Sequence, residues 1–353
     1  MLAPHISVVN LGCRVNRVES DRITADLMRL GFAIVEPQDA DLIVINTCAV
    51  TGEAEAKTRK AVRHALAHPN EPYVIVTGCV VNLHPEELLE LSDRVIAEPS
   101  KIDVAERVCE VLGVESDSVP ACSDGEVVDA LGRSRLGVKI QDGCNHRCTY
   151  CIVPYARGNN RSVKEEDIIS QIRELLGRGF GEICLTGVDA CSYRPSFSGL
   201  IQHILEQIPE LPSLQFGSLD PAAVDDDFIA LVGRYRNVHP HFHLSVQSGD
   251  NMILKRMRRR HTREDVIKLC GAIRRVRPEA TFGADFICGF PTESDENFQN
   301  TLKLVTEAGI TRLHVFPYSE RPGTPAALMP QLPVEIRRER ARILREQGET
   351  DND

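Results

Sequence analysis

Residues 144–151 read Cys144-Asn145-His146-Arg147-Cys148-Thr149-Tyr150-Cys151, three thiols in a C-x3-C-x2-C spacing. One short loop of this kind can wrap a compact inorganic cluster and turn all three sulfurs inward. Soft thiolates select cubane iron–sulfur clusters, which want four ligands. Three would leave one iron open to a reactant. Zinc is the alternative, although structural zinc sites show two separated Cys/His pairs. His146 would then have to act as fourth ligand from inside the loop.

A second set of thiols is dispersed. Three apolar, β-branched runs each end in a cysteine: Ile6 to Cys13, Asp41 to Cys48, and Tyr73 to Cys79. Short continuous apolar runs suit strands buried on both faces of a parallel sheet. Amphipathic stretches at Val18–Leu30, Glu53–Ala67 and Pro85–Leu91 separate them, and such alternation builds βαβ units. A parallel sheet brings every carboxyl end to one edge, so Cys13, Cys48 and Cys79 are expected to converge as a second three-thiol site. A buried apolar cysteine is the plainer reading of any one of them. Weaker strands at Ala33–Val35 and Arg94–Ala97 complete the sheet, and Ile102–Leu112 is its last helix. The polar, acidic stretch Val114–Ala130 reads as a linker.

Beyond it, strand and helix alternate again, as in a β/α barrel. The expected strands are Gly137–Gln141, Glu182–Thr186, Leu214–Leu219, His241–Gln247, Thr281–Cys288 and Arg312–Pro317. The expected helices are Glu165–Leu176, Leu200–Gln207, Asp225–Val232, Arg263–Arg274 and Asp295–Glu307. Six strands are too few to close an eight-stranded barrel, so the domain is expected to be open. Its chemistry belongs at the carboxyl ends of the strands, where residues 144–151 also fall. The fold class is thus α/β: a doubly wound parallel-sheet domain followed by a partial β/α barrel. The boundaries expected are 1–117, a linker 118–130, 131–332, and a basic amphipathic helix and tail 333–353.

The chain has 353 residues, 42% hydrophobic and 26% charged, which is globular and suggests about two domains. No apolar run approaches the ~20 residues that span a bilayer. The N-terminus lacks the pattern of a secretory signal. Twelve cysteines in such a chain point to metal or catalytic thiols in a reducing compartment, and so to the cytoplasm. A net charge of −10 is awkward for a nucleic-acid partner. Lys255–His261 is the densest basic stretch, either an RNA contact or a solvated face. Cys109, Cys122, Cys184, Cys270 and Cys288 read as structural, whereas Cys191 falls near the expected mouth. His239, His241 and His243 share one face of a strand, at core or rim positions or in a metal site.

The C-x3-C-x2-C loop with Tyr150 before its last cysteine resembles the radical S-adenosylmethionine (SAM) enzymes. Ile140-Gln141-Asp142-Gly143 before it and Pro154-Tyr155-Ala156-Arg157-Gly158 after it resemble the methylthiotransferases among them. Leu11-Gly12-Cys13-Arg14-Val15-Asn16, Asn46-Thr47-Cys48-Ala49-Val50-Thr51 and Thr77-Gly78-Cys79 are similar to the three N-terminal signatures of that family. The resemblance implies two 4Fe–4S clusters and SAM. Cys144, Cys148 and Cys151 would hold the cluster that cleaves SAM to a 5′-deoxyadenosyl radical. Cys13, Cys48 and Cys79 would hold an auxiliary cluster carrying the sulfur. Tyr150, Gly187, Ser218, Asp220, Gln247 and Ser248 would lie around SAM. Gly217-Ser218-Leu219-Asp220-Pro221 departs from the family's Ser-Ser-Leu-Glu-Pro by a shorter carboxylate. Phe290-Pro291, Phe316-Pro317-Tyr318 and Arg321-Pro322-Gly323-Thr324 also match.

Motif detail is most similar to the MtaB-type branch, which inserts a methylthio group at C2 of threonylcarbamoyladenosine beside the tRNA anticodon. The isopentenyladenosine branch, the branch acting on a ribosomal protein, and a non-catalytic iron–sulfur RNA-binding protein are the alternatives. The partners implied are the anticodon stem-loop of tRNA, an electron donor such as flavodoxin or ferredoxin, and a sulfur donor. No segment corresponds to the small RNA-gripping TRAM domain of relatives, which leaves the helix Val334–Gln347 as the expected last element.

Overall fold

The computed structural model describes residues 4–114 and 135–350. The expected linker 118–130 and Cys122 lie outside the described residues. The chain forms two compact units, Met1–Gly137 with Tyr155–Gly158, and Val138–Pro154 with Asn159–Asp353.

The first unit is a five-stranded sheet. Its strands are β1 (His5–Asn10), β2 (Ala33–Ile34), β3 (Leu42–Thr47), β4 (Tyr73–Gly78) and β5 (Val95–Glu98), in the order β2-β1-β3-β4-β5. Every pairing is parallel. All six residues of the central strand β3 are buried, because helices cover both faces. Ile43 and Ile45 pack with Val62 and Ala65 of α2 (Gly52–Leu66). Leu42 and Val44 face the other way, onto Ile23 and Leu27 of α1 (Arg14–Arg29) and Val104 and Val108 of α5 (Val104–Leu112). Fully burying such a side chain contributes about 1.5–3 kcal/mol, so the alternation fixes the register of the sheet.

Two helices depart from expectation at the sheet edge. Helix α1 begins at Arg14, directly after Cys13, and α3 (Cys79–Leu83) begins at Cys79 itself. The expected helix Pro85–Leu91 is the short α4 (Glu86–Leu89). Pro85 separates α3 from α4 because proline supplies no backbone donor to continue the first helix.

The second unit contains β6 (Arg135–Asp142), β7 (Arg161–Ser162), β8 (Glu182–Gly187), β9 (Ser213–Phe216), β10 (Ser218–Leu219), β11 (His241–Gln247), β12 (Thr281–Cys288) and β13 (Ile310–Pro317). They form two sheets ordered β7-β6-β8-β9 and β10-β11-β12-β13. All six expected strands are present. The run Leu214–Leu219 is broken at Gly217 into β9 and β10, which divides the array, and the antiparallel β7 was not legible in its two residues. Helices α7 (Glu165–Gly177), α8 (Phe197–Gln207), α9 (Asp226–Arg234), α11 (Arg263–Val276) and α12 (Asp295–Ala308) follow the expected segments within a few residues. Two further helices are α6 (Val153–Arg157) and α10 (Asn251–Arg256).

Alternate strand residues point to opposite sides. Ile183, Leu185, Phe242, Leu244, Ala284, Phe286 and Val315 join the apolar core shared with the helices. The opposite face carries Gln141, Cys184, Gln215, His243, Ser245 and Asp285, a mostly polar inner surface.

The last helix, α13 (Val334–Thr350), is tied to this unit through a buried ion pair. Glu293 accepts from the Gly289 amide at 2.8 Å and from Arg340 Nη1 at 2.7 Å, and Arg340 Nη2 reaches Asp295 at 2.7 Å. Removing one partner of a buried pair strands the other charge. Arg340→Met is therefore expected to cost about 3 kcal/mol, measured as a lower urea midpoint at unchanged m-value.

Candidate functional site

At the carboxyl edge of the first sheet, Asn10 stands level with Asn46 of β3, Asn46 with Thr77, and Thr47 with Gly78. Cys48 and Cys79 follow Thr47 and Gly78 directly, and Cys13 caps α1 three residues past Asn10. The three thiols of the N-terminal motifs thus meet at one edge, near enough for Cys13 and Cys79 to disfavour a thiolate at Cys48. Burial raises the Cys48 thiol to about 11, and Arg157 opposes that rise. Cys48 and Cys79 are buried and Cys13 is exposed.

Polar side chains beneath the thiols fix this edge. Asn16 Nδ2 donates to Asn46 Oδ1 at 2.9 Å and to the Thr47 carbonyl at 2.8 Å. Its Oδ1 accepts from Cys13 Sγ at 3.2 Å and from Arg157 Nη2 at 3.0 Å. Asn46 Nδ2 answers by donating to the Asn16 carbonyl at 2.9 Å. Arg157 also grips buried Glu19, with Nη1 2.9 Å from Oε1 and Nη2 3.1 Å from Oε2, and Lys101 pairs with the same carboxylate. Two cations therefore stand beside three thiols, a setting that suits a group made anionic by thiolate ligation. Gly78 has φ +98°, and a Cβ there would lie 2.5 Å from the Thr47 carbonyl, so only glycine makes this turn.

In the second unit the loop 144–151 leaves β6. Buried Gln141 secures its start: Nε2 donates to the Gly143 carbonyl at 2.6 Å, and Oε1 accepts from the Asp189 amide at 2.8 Å. Its far end is tied to α10, since Thr149 N donates to the Met257 carbonyl at 3.1 Å and Thr149 Oγ1 to the Arg256 carbonyl at 2.8 Å. The three thiols sit close together: Cys148 disfavours a thiolate at Cys144, and both disfavour one at Cys151. Burial pushes Cys144 to about 11 and Cys151 to about 12. Metal ligation by thiolate at Cys144 and Cys151 would displace these protons. Arg259 supplies the compensating charge. Its Nη1 is 3.8 Å from Cys148 Sγ, and its Nη2 donates to the Ser245 carbonyl at 2.7 Å and to Asp220 at 3.1 Å.

His146, the candidate fourth zinc ligand, turns toward Asp189. Its Nε2 lies 2.9 Å from Asp189 Oδ2, in a direction that makes no hydrogen bond, and Cys144 Sγ is 3.9 Å from the same oxygen. That neighbourhood includes only one of the three thiols. The donor set that unites all three is sulfur, which fits an iron–sulfur cluster with one position left open.

The residues expected around SAM are variously placed. Tyr150 packs against the cluster of Ile253, Met257, Phe290 and Tyr318. Gly187 faces Gln141, where a Cβ would lie 2.9 Å from Oε1. Asp220 is engaged by Arg259 and by Arg260 Nη2 at 2.7 Å. Burial pushes its carboxyl up, but His261 and these two arginines outweigh that and hold it well below the usual range. Ser218 Oγ donates to Asp285 on the inner face at 3.3 Å. Gln247 ends β11 at φ 75°. Ser248 is fully buried, and its hydroxyl meets Thr301 and the Asp250 amide.

Cys191 lies beside Asp189 and Asp220, and burial raises its thiol. The basic stretch Lys255–His261 is not simply a solvated face: Arg259 and His261 are turned inward, while Lys255 and Arg258 stay exposed. Asn16, Arg157, Gln141, Asp189 and Arg259 were not singled out from sequence. Asn16, Gln141 and Arg157 stand inside or beside the cysteine motifs, and their proximity was the available signal; Asp189 and Arg259 carried none.

A family model described as the radical SAM superfamily matches residues 138–305, and one described as uncharacterized protein family UPF0004 matches residues 5–97. The threonylcarbamoyladenosine tRNA methylthiotransferase MtaB of Rickettsia prowazekii is 43% identical over 97% of this chain and 82% of its own length. The chain belongs to the MtaB-type radical SAM methylthiotransferases. Its chemistry is methylthio transfer, and its cofactors are SAM and 4Fe–4S clusters. The MtaB of Aquifex aeolicus is 34% identical over 97% of this chain and 87% of its own length. A tRNA-2-methylthio-N(6)-dimethylallyladenosine synthase from Halalkalibacterium halodurans is 35% identical over 93% of this chain and 65% of its own length. In fold, the chain is similar to the radical SAM methyltransferase TsrM of Kitasatospora setae, with TM-score 0.65, 14% identity, and coverage of 92% of this chain and 75% of that one. Among the described residues, no helix is long and apolar enough to cross a membrane.

A Cβ at Gly12 would lie 2.3 Å from Asn16 Cγ, so Gly12→Ala must displace Asn16 and loosen Cys13. If the N-terminal thiols hold one of two four-iron clusters, anaerobically reconstituted Gly12→Ala is expected to lose roughly half its iron, measured by iron analysis beside the wild type.

Proposed function

We propose that the protein is a tRNA methylthiotransferase acting at C2 of threonylcarbamoyladenosine beside the anticodon, with two 4Fe–4S clusters. Cys144, Cys148 and Cys151 hold the cluster that binds SAM, and Cys13, Cys48 and Cys79 hold the auxiliary one. The observation that carries the substrate reading is the 43% identity to the Rickettsia enzyme across nearly the whole chain. When bound, these groups supply a carbon-centred radical for an unactivated C–H bond and the sulfur that replaces its hydrogen.

The protein's own part is holding. Gln141 and Thr149 pin the two ends of the 144–151 loop, and Arg259 offsets the charge of its thiolates. Asn16 and Arg157 do the same below the N-terminal thiols. Fixing reactants in this way removes orientational entropy from the barrier. A flavodoxin- or ferredoxin-type electron donor and a sulfur donor complete the cycle, in the cytoplasm.

The 35% identity to a dimethylallyladenosine enzyme supports a second reading, in which the isopentenyl-type nucleoside is the substrate. Mass spectrometry of tRNA nucleosides from cells with and without the gene separates the two. Loss of methylthio-threonylcarbamoyladenosine, with its unthiolated precursor accumulating, is the expected result. Loss of the isopentenyl counterpart would favour the second reading, and no change would overturn both. Reconstituted protein is expected to bind ~8 iron per chain, falling to ~4 when Cys144, Cys148 and Cys151 are all replaced by alanine.

Lys255 and Arg258 are exposed on the same turn whose carbonyls hold Thr149. They are suited to meet RNA phosphates. Lys255→Glu with Arg258→Glu is expected to weaken tRNA binding and reduce the salt slope of log K by about two, measured by filter binding across a salt series.

A further inference from the structure

On the inner face of the second unit, three ligand-type side chains from adjacent strands converge in a group that includes no cysteine. They are His243 of β11, Asp285 of β12 and His314 of β13. His243 Nε2 is 2.9 Å from Asp285 Oδ1, and His314 Nδ1 is 3.4 Å from the same oxygen. The two imidazole centroids are 4.5 Å apart. We propose that His243, Asp285 and His314 form a binding site for one divalent first-row transition-metal ion of the zinc class, separate from both cysteine sites.

Strand register explains why these atoms meet. Asp285 stands level with His314, whereas His243 stands level with Gly283, one pleat away. The ring of His243 lies across that glycine to reach Asp285. A Cβ at position 283 would be 2.7 Å from His243 Nδ1. The glycine therefore clears the path and aims Nε2 at the carboxylate.

The donor set suits the ion. Two imidazoles and one carboxylate are the ligands that zinc and neighbouring divalent ions take in sites with open positions. Ligand atoms around a tetrahedral zinc at 2.0–2.1 Å stand roughly 3.3 Å apart. The two spacings to Oδ1 bracket that value within a few tenths of an ångström. Asp285 Oδ2 accepts from Ser218 Oγ at 3.3 Å, an outer partner that orients the carboxylate and leaves Oδ1 for the ion. His243 is almost wholly buried, while the His314 side chain is 52% exposed, so the group is open on the His314 side. Ser245, whose carbonyl holds Arg259, is two residues from His243 along β11. That is about 7 Å at strand rise, and none of the 144–151 thiols is among the ligand atoms of the group.

The test uses cluster-loaded protein and Zn²⁺ alone as the probe. The protein is incubated with Zn²⁺, passed through gel filtration, and analysed for zinc and iron together, with zinc K-edge absorption on the retained metal. The expected result is about one zinc per chain with iron unchanged, a first shell of nitrogen and oxygen only, and at least tenfold weaker retention in Asp285→Asn and in His314→Ala. His314 is half exposed, so its variant keeps the test valid if Asp285→Asn folds poorly. No retained zinc, equal retention in a folded variant, sulfur in the shell, or iron lost in step with zinc gained would each overturn the proposal.

Discussion

In a parallel sheet every strand delivers its carboxyl end to the same edge, and both units of this chain place their cysteines there. The constraint comes from backbone hydrogen bonding between β1, β3 and β4, and it acts before any metal is bound. Residues 13, 48 and 79 are far apart in the chain, yet pairing Asn10 with Asn46 and Asn46 with Thr77 leaves their thiols little choice of place. The second unit uses the same rule differently, hanging three thiols on one loop after a single strand. One set is gathered by topology and the other by sequence spacing.

What the edge leaves undone is electrostatic. Burial disfavours thiolates at Cys48, Cys144 and Cys151, and nearby arginines oppose that cost. Arg157 stands below one set and Arg259 below the other, each also held by a carboxylate, Glu19 or Asp220. Pairing of this kind keeps a buried guanidinium fixed while its charge still reaches the sulfurs. The surrounding amides, Asn16 and Gln141, make short bonds to backbone and so set where each loop begins.

The parts of this design legible in sequence were those written locally. Buried runs such as Leu42–Thr47 announce a strand because every residue is apolar or small, and a thiol at the end of each run announces the site. Gly217 did not announce the break between β9 and β10, since a glycine inside a strand pattern also fits a bulge or a close backbone approach. Lys255–His261 reads as one basic stretch, but tertiary partners divide it, drawing Arg259 and His261 in and leaving Arg258 out. Arg157 and Glu19 are 138 residues apart, and His243 and Asp285 are 42 apart. No pattern of spacing along a single element links such pairs, because only the packed sheets bring them together.

Arg157 belongs by contact to the first unit although the second unit surrounds it in the chain. That has a temporal side. As the protein emerges from the ribosome, the first sheet has all five strands once Glu98 is made, and Lys101, which pairs with Glu19, follows three residues later. The carboxylate gains the Arg157 guanidinium 56 residues after Lys101, once the whole 144–151 loop has been synthesised. The N-terminal fold is thus finished by the same stretch of chain that carries the other three thiols, so neither half is complete before the other has begun.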